Sequence, residues 1–403
     1  MNDRINIALL RLTKRAEMSD RRSLVDTFVD TGMLQGMLSS RDHQIVYGRR
    51  GTGKTHALTY LAETREREGD IAIAIDMRTI GSSIGLFADE TVPLAERATR
   101  LLKETLAAIH DGLIEHATAP TSNVDLSLVG PHLDAFFEAA TQTQVMGTVV
   151  AEQQESRSAV AKADNGLSIG FESTGPSASV RQSTASERSA NLTTRHHRSG
   201  VDVHRIRFGA ITQTLANVLR AADPARLWVL LDEWSAVPSD LQPYLADMIR
   251  RCLLPVNGVT VKIAAIELRS NFMISIAVGD YIGMELGADI SADVNLDDFM
   301  VFDNDAGRAV EFFRTLMFNH YMSSRAEVHG APTFRTGQEF TQSTFTQRTS
   351  LEEVVRAAEG VPRDAIHVLG IAAQKAGVNP ISVNHVRAAA KAWYQRDKEA
   401  TVA

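Results

Sequence analysis

The stretch VYGRRGTGKTHALTYLA, Val46–Ala62, decides how the rest of the chain is read. An apolar run ends in a glycine, two arginines interrupt a glycine-rich turn, and a helix-like sequence follows. Gly48-Arg49-Arg50-Gly51-Thr52-Gly53-Lys54-Thr55 meets G-x-x-x-x-G-K-[ST] at every fixed position, the pattern of a phosphate-binding loop. The flanks supply the context that such a loop needs. HQIVYG reads as a buried strand, and Ala57, Leu58, Leu61 and Ala62 give the next segment the apolar stripe of a helix. Glycines let backbone N–H groups curl around phosphate oxygens, and the helix N-terminus adds partial positive charge. Lys54 is expected at the β- and γ-phosphates and the Thr55 hydroxyl on Mg²⁺, with Gly48 to His56 lining the nucleotide. A bare glycine turn with an incidental lysine would not need strand, loop and helix in this order. Arg49 and Arg50 fill variable positions, where a solvated role is favoured over contact with a neighbouring subunit or an acidic partner.

A phosphate loop alone leaves kinases, GTPases and ATPases open. The second informative stretch is RLWVLLDEWSAVPSDLQPYLADMIRR, in which Leu227–Leu231 form the continuous apolar run of a central parallel strand. Asp232-Glu233 at its end has the position and chemistry of a Walker B element. Asp232 is expected to hold Mg²⁺ through water, and Glu233 to polarise the attacking water. The pair could instead cap the next helix, but Ser239-x-x-Gln242 reads as that helix's own capping box. No N-K-x-D guanine-reading motif is present, so adenine is the better choice of base. A further strand, VTVKIAAI (Val259–Ile266), ends in Glu267-Leu268-Arg269-Ser270-Asn271, where a residue sensing the γ-phosphate would sit.

Composition sets the outer limits. A chain of 403 residues makes two or three domains at ~100–200 residues each. A formal net charge of -7 argues against a surface built wholesale for nucleic acid, although a local basic face remains open. The single cysteine, Cys252, lies among apolar residues and reads as a buried small hydrophobe. No stretch approaches the ~20 apolar residues needed to span a bilayer, and no signal peptide is evident at the start. The expected location is the cytoplasm.

Between the strand DIAIAIDMR (Asp70–Arg78) and the Asp-Glu strand, a crossover needs only about a dozen residues or more. Here it is far longer. Pro93–His116 reads as a helix with Leu94, Ala98, Leu101, Leu102, Ile109 and Leu113 on one face. From Thr118 to about Val203 the composition shifts to Ser, Thr, Ala and Gln, which reads as an insertion. Within it LSIGFESTGPSASVRQS suggests an exposed β-hairpin around Gly175-Pro176. Its tail, RHHRSGVDVHRIRF, is basic through Arg195, Arg198, Arg205 and Arg207, and segment 195–207 is a candidate contact for nucleic acid or an acidic protein. A solvated loop is an equal reading, because no aromatic stacking series accompanies it. His196, His197 and His204 lack the cysteine or second metal-spaced pair of a zinc site. Asp289, Asp293, Asp297 and Asp298 match no EF-hand spacing, so solvated or capping roles are expected. A last strand is expected within MELGADISADVNLDDFMVF. Beyond Asp305 the chain reads as helical, with capping boxes at Thr349-x-x-Glu352 and Ser350-x-x-Glu353 and a loop over HGAPTFRTGQEFTQSTFTQRTS.

Farther on, Gly360-Val361-Pro362-Arg363 opens a helix. Pro362 suits its first position, Ala365, Ile366, Leu369 and Ala373 make its stripe, and Gly377 its stop. Together the phosphate loop, the Asp-Glu strand, the polar-ended strand and this G-x-P-R sequence resemble the AAA+ ATPases, within them the origin-recognition/initiator clade. The resemblance covers roughly Phe28 to Asp397, apart from the interruption. It implies an α/β P-loop NTPase fold: a parallel sheet flanked by helices, a helical lid and a large insertion. The organisation expected is an N-terminal helical segment (1–42), an ATPase core (43–304, insertion about 118–203) and a lid (305–403). The resemblance makes Arg363 the lid arginine that reaches back to the nucleotide; unaided, the residue would be called solvated. No winged helix is recognised after the lid helices, which puts direct origin binding in doubt. No arginine finger is identified, with Arg269, Arg250 and Arg251 the nearest candidates.

The leading expectation is an ATPase that binds ATP and Mg²⁺ and drives a conformational switch on a partner. By resemblance that partner is nucleic-acid-linked, of mobile-element, transposition or phage-defence type, and self-association is expected. The alternative is a STAND-like signalling ATPase that binds ATP, hydrolyses it slowly and oligomerises on sensing a ligand. A phosphotransferase acting on a small molecule is a third, disfavoured by Glu233 and the lid arginine.

Overall fold

A computed structural model describes residues 2–13, 20–30, 33–80, 91–120, 122, 124–141, 144–146, 201–203, 206–224, 226–277, 280–298 and 306–398. The chain is α/β. Nine strands are described: β1 (Gln44–Tyr47), β2 (Ile71–Asp76), β3 (Gln144–Met146), β4 (Val201–Val203), β5 (Leu227–Asp232), β6 (Val259–Ala265), β7 (Met273–Ala277), β8 (Asp280–Gly283) and β9 (Ser291–Asn295). Five form a parallel sheet in the order β2-β5-β6-β1-β9. Strands β1, β5 and β6 are buried at every position, as strands covered on both faces must be, whereas edge strand β2 alternates.

Successive side chains of a strand point to opposite faces, and the two faces of this sheet have separate cores. Ile45, Val229 and Ile263 join one, under the helices Leu94–Thr118, Leu126–Thr141, Phe208–Ala222 and Gln242–Cys252. Their neighbours Val46, Leu230 and Ala264 join the other, with Leu58 and Leu61 of the helix Lys54–Arg67 and Leu34 and Leu38 of the short helix Met33–Leu38. Among the described residues no helix is long and apolar enough to cross a membrane.

The stretch expected as an insertion is divided. Leu126–Thr141 buries Val129, Leu133, Phe136 and Ala140 in the core beneath the sheet. Its internal Gly130-Pro131 and the polar stretch that follows hid a helix that has one good apolar stripe. Gln142–Arg205 forms a second compact unit. Within it β3 and β4 pair antiparallel, Val145 opposite Asp202. The expected hairpin around Gly175-Pro176, and Arg195, His196, His197, Arg198, His204 and Arg205 of the basic tail, lie outside the described residues.

The helices Ala306–Ser324, Gly337–Thr344, Arg348–Ala358, Pro362–Ala376 and Val383–Trp393 surround a core of their own that includes Phe313, Tyr321, Phe340, Val354 and Leu369. The helix Asn2–Leu10 belongs to it through Ile5, Ala8 and Leu9. Asn6 Nδ2 donates to the carbonyls of Gly377 (2.6 Å) and Asn379 (2.9 Å), closing the free end of the helix Pro362–Ala376. Residues 1–42 are therefore not one body: their first helix serves the C-terminal core and their third the sheet.

Three capping expectations fail for local reasons. The helix after β5 starts at Gln242 itself, with no side-chain cap from Ser239. The Gln242 side chain instead donates to the Val237 carbonyl (2.8 Å) and accepts the Asn271 N–H (2.6 Å). Thr349 and Ser350 fall inside the helix Arg348–Ala358, where Ser350 is buried and Glu352 and Glu353 pair with Arg348 and Arg387. The segment expected as a loop holds a true cap: Thr336 Oγ1 accepts the Glu339 N–H (3.1 Å), and the Glu339 carboxylate accepts that of Arg335 (2.8 Å). The helix Gly337–Thr344 follows.

Candidate functional site

Chain direction places the site. After β1 the chain runs to the far edge, β2, and after β6 it crosses to the opposite side, β9. In open parallel sheets, ligands bind beyond the carboxyl ends of strands where such a reversal occurs. Gly48–Thr55 leaves β1 at that end. A Cβ on Gly48 would lie 2.5 Å from Thr52 Oγ1 and 3.2 Å from Leu296 Cβ, so only glycine fits. Gly51 and Gly53 have φ of 91° and 95°, a left-handed backbone that other side chains resist. Thr52 is buried and its hydroxyl donates to the Arg49 carbonyl (2.9 Å), bracing the turn from within.

Among the described residues, the backbone N–H groups of Gly51, Gly53, Lys54, Thr55 and His56 meet no acceptor. The last three are first-turn donors of a helix, which no helix can satisfy for itself. Lys54 is buried, and burial lowers its pKa against the opposing pull of Glu233 and Asp232. Its ammonium donates to the carbonyls of Gly48 (2.8 Å) and Arg49 (3.1 Å). A buried cation thus sits among idle amide donors, an arrangement that calls for an oxyanion.

Asp232 ends β5 two strands away from β1, and the loop brings Thr55 back to it. The Thr55 hydroxyl donates to Asp232 Oδ2 at 2.5 Å, while Oδ1 accepts the Glu233 N–H at 2.8 Å. Burial pushes the Asp232 carboxyl up, and the Thr55 hydrogen bond opposes the shift. One hydroxyl and one carboxylate suit Mg²⁺, which keeps its other positions for water and phosphate oxygens. No cluster of three His, Cys, Asp or Glu able to hold a metal is present among the described residues.

Glu233 is half-buried and adopts φ 55°, ψ 39°, a left-handed conformation that costs a non-glycine residue about 1 kcal/mol or more. Its carboxylate has no hydrogen-bond or ion-pair partner among the described residues. Trp234, fully buried and stacked on Phe272, holds the next residue and so fixes the turn. Ser235 Oγ accepts the Ile266 N–H (2.8 Å) and lies 2.9 Å from Ser270 Oγ, tying the Asp-Glu turn to the end of β6.

Arg363 comes to the loop from the C-terminal core. Its N–H donates to the Gly51 carbonyl (3.2 Å), and its guanidinium reaches the Arg50 carbonyl (3.5 Å). A Cβ on Gly51 would stand 2.9 Å from Arg363 Nε, so the glycine also makes room for the arginine.

Two loop residues behave otherwise than expected. Arg49 is not merely solvated: its N–H and Nε both donate to Asp297, at 2.8 and 2.9 Å, and its Nη2 donates to the Glu359 carbonyl at 2.8 Å. Asp297 accordingly caps the loop, while Arg50 is exposed. The His56 imidazole turns away from the loop, hydrogen-bonds the Leu24 carbonyl and packs edge-on against Phe28; burial lowers its pKa. Only its backbone N–H faces the site. Long-range partners decide both residues, and neither partner is visible in the motif.

Of the arginine-finger candidates, Arg250 and Arg251 are both engaged by Asp247 (2.7 and 2.6 Å). Arg269 stands exposed on the turn after β6 with no ion-pair partner among the described residues. Cys252 is fully buried, and burial pushes its thiol pKa up, as befits an inert hydrophobe. Comparison with protein-family models and with curated proteins finds no match for the chain.

Proposed function

We propose that the chain binds ATP with Mg²⁺ and hydrolyses it, as an AAA+-type ATPase whose C-terminal helices act as a lid. The observation that carries this reading is convergence. Idle loop amides, buried Lys54, the Thr55–Asp232 pair, unengaged Glu233 and Arg363 come from three separate segments and meet at one end of the sheet. A structural role for the cluster would have paired the amides and the carboxylate.

In this reading the amides of residues 51–56 take the phosphate oxygens. Lys54 exchanges the carbonyls of Gly48 and Arg49 for the β- and γ-phosphates, and relief of its desolvation adds to binding. Thr55 and Asp232 hold Mg²⁺, which neutralises charge on the phosphate oxygens when bound. Glu233 orients water and takes its proton, helped by a turn that keeps the carboxylate clear of competing donors. Arg363 senses the γ-phosphate, so that nucleotide alters the contact between loop and lid. By resemblance the partner is nucleic-acid-linked. A STAND-like signalling ATPase has one observation in its favour: Arg250 and Arg251 are committed to Asp247, which removes two of three finger candidates and favours slow turnover.

Phosphate release by the wild type, Lys54→Ala and Glu233→Gln, with and without duplex DNA over a salt series, tests the reading. Turnover that both substitutions abolish and that DNA raises in a salt-sensitive way is expected. Tight ATP binding with no turnover under any condition would replace the motor with the signalling switch. Absence of ATP binding would sink both.

A further inference from the structure

We propose that Arg49 is the residue that positions Arg363 over the phosphate loop. The inference rests on the ATP-binding reading for its functional consequence, and on geometry alone for its structural one. Arg49 occupies a position that the loop motif leaves variable, yet three of its donors are committed. Asp297, at the end of β9, takes the backbone N–H at 2.8 Å and Nε at 2.9 Å, which fixes both ends of the side-chain stem. Nη2 is then delivered to the Glu359 carbonyl at 2.8 Å.

Glu359 is where the lid chain changes direction. It terminates the helix Arg348–Ala358 with φ 48°, and Gly360 follows with φ 79°. Two successive left-handed residues make a sharp turn, Val361 is buried, and Pro362 restricts its own φ at the first position of the next helix. Fixing the Glu359 carbonyl therefore fixes the start of that helix, and with it Arg363. The direct contacts of Arg363 with the loop, at 3.2 and 3.5 Å, are the longer ones. The Arg49 bridge is shorter, and it joins the same two bodies a few residues away. As an isolated exposed ion pair Arg49–Asp297 would matter little; as a strut with three fixed points it determines where the sensor arginine stands. Lysine lacks the planar fork that presents Nε to Asp297 and Nη2 to Glu359 as separate donors, so it is expected not to hold both in this geometry.

Two measurements on the full chain test this. The first needs no nucleotide: amide hydrogen exchange of the peptide spanning 359–366 in wild type, Arg49→Ala, Arg49→Lys and Asp297→Ala. Protection of the Arg363 amide is expected to fall at least about tenfold in all three variants, as its bond to the Gly51 carbonyl opens more often. Retained protection in Arg49→Ala, or recovery in Arg49→Lys, would overturn the proposal. The second is titration with ATP and ADP of wild type, Arg49→Ala, Arg363→Ala and the double variant. Each single substitution is expected to weaken ATP about tenfold with ADP nearly unchanged, the double variant being no weaker than either. Additive losses, or an equal loss for ADP, would overturn it. A wild type that binds neither nucleotide would instead defeat the ATP reading, and the exchange measurement would still decide what Arg49 holds.

Discussion

The two ends of the parallel sheet each bury a lysine, and the two lysines could hardly be treated more differently. Lys54, beyond the carboxyl end of β1, lies among amides with no acceptor and near two carboxylates, leaning on carbonyls of its own loop. Lys262, midway along β6 and beside the first residue of β1, is fully buried and reaches past the amino end of β1, donating to the carbonyls of Ser40 (2.8 Å) and Asp42 (3.1 Å) and to Gln44 Oε1. Its ammonium stands 5.4 Å from the Trp228 ring, whose other neighbours are Arg65 at 5.1 Å and, through the indole N–H, Asp70 at 2.7 Å. One end is finished and the other is waiting. Burial alone does not separate a structural from a functional charge; the count of unmet partners around it does.

The sharpest test of the contrast is substitution of each lysine in turn. Lys54→Ala should cut phosphate release by ~10²-fold or more while changing stability by about 1 kcal/mol or less. Coincident loss of fold and activity would erase the distinction. Lys262→Ala should do the reverse, costing about 2–5 kcal/mol in urea unfolding because it leaves a cavity and takes the donor from buried Gln44 Oε1 and two partly buried carbonyls. Its nucleotide affinity should match the wild type.

A smaller effect concerns pH. Burial lowers the Lys262 pKa to about 7. An unfolded lysine titrates near ~10.4, so between these values the unfolded chain binds a proton that the folded chain does not. Stability from this site therefore rises with pH across that window, by at most about 1.4 kcal/mol per unit, and is flat below it, where both states are protonated. Urea unfolding of wild type and Lys262→Met at pH 7, 8 and 9 should show the wild type gaining on the variant. A flat difference would mean that the three oxygens and the indole face keep the ammonium charged. Smallest is Trp228→Phe, which keeps a ring and leaves Asp70 without its N–H donor; a loss of about 1–2 kcal/mol is expected.

The finished end was nearly invisible in the sequence. A lysine inside VTVKIAAI looks like an interruption of an apolar run, and its acceptors lie some 220 positions earlier in the chain. The geometry of the waiting end was legible because its glycines mark a turn between an apolar strand and a helix, and because Asp232-Glu233 closes an unbroken apolar strand. What the motif could not carry was the fate of its variable positions. Arg49 and His56 are settled by Asp297, Glu359 and Leu24, all distant in sequence. Helix boundaries failed in part the same way: Gln242 has a partner in Asn271 that displaces a capping role, Ser350 is buried inside its helix, and Thr336 caps as its chemistry dictates.

The helix Asn2–Leu10 has a consequence in time. Its hydrogen-bond partners lie 371 and 373 positions farther along the chain. At a synthesis rate of ~5–20 residues per second, roughly 20–75 s separate the emergence of Asn6 from that of Gly377. Until the helix Ala306–Ser324 and its successors emerge, Ile5, Ala8 and Leu9 have no native surface to cover them. The sheet and its glycine-rich loop can be assembled long before the C-terminal core is closed, so the nascent chain passes through a stage in which the loop exists and Arg363 does not. A segment made long before its partners is thus among the last to be secured.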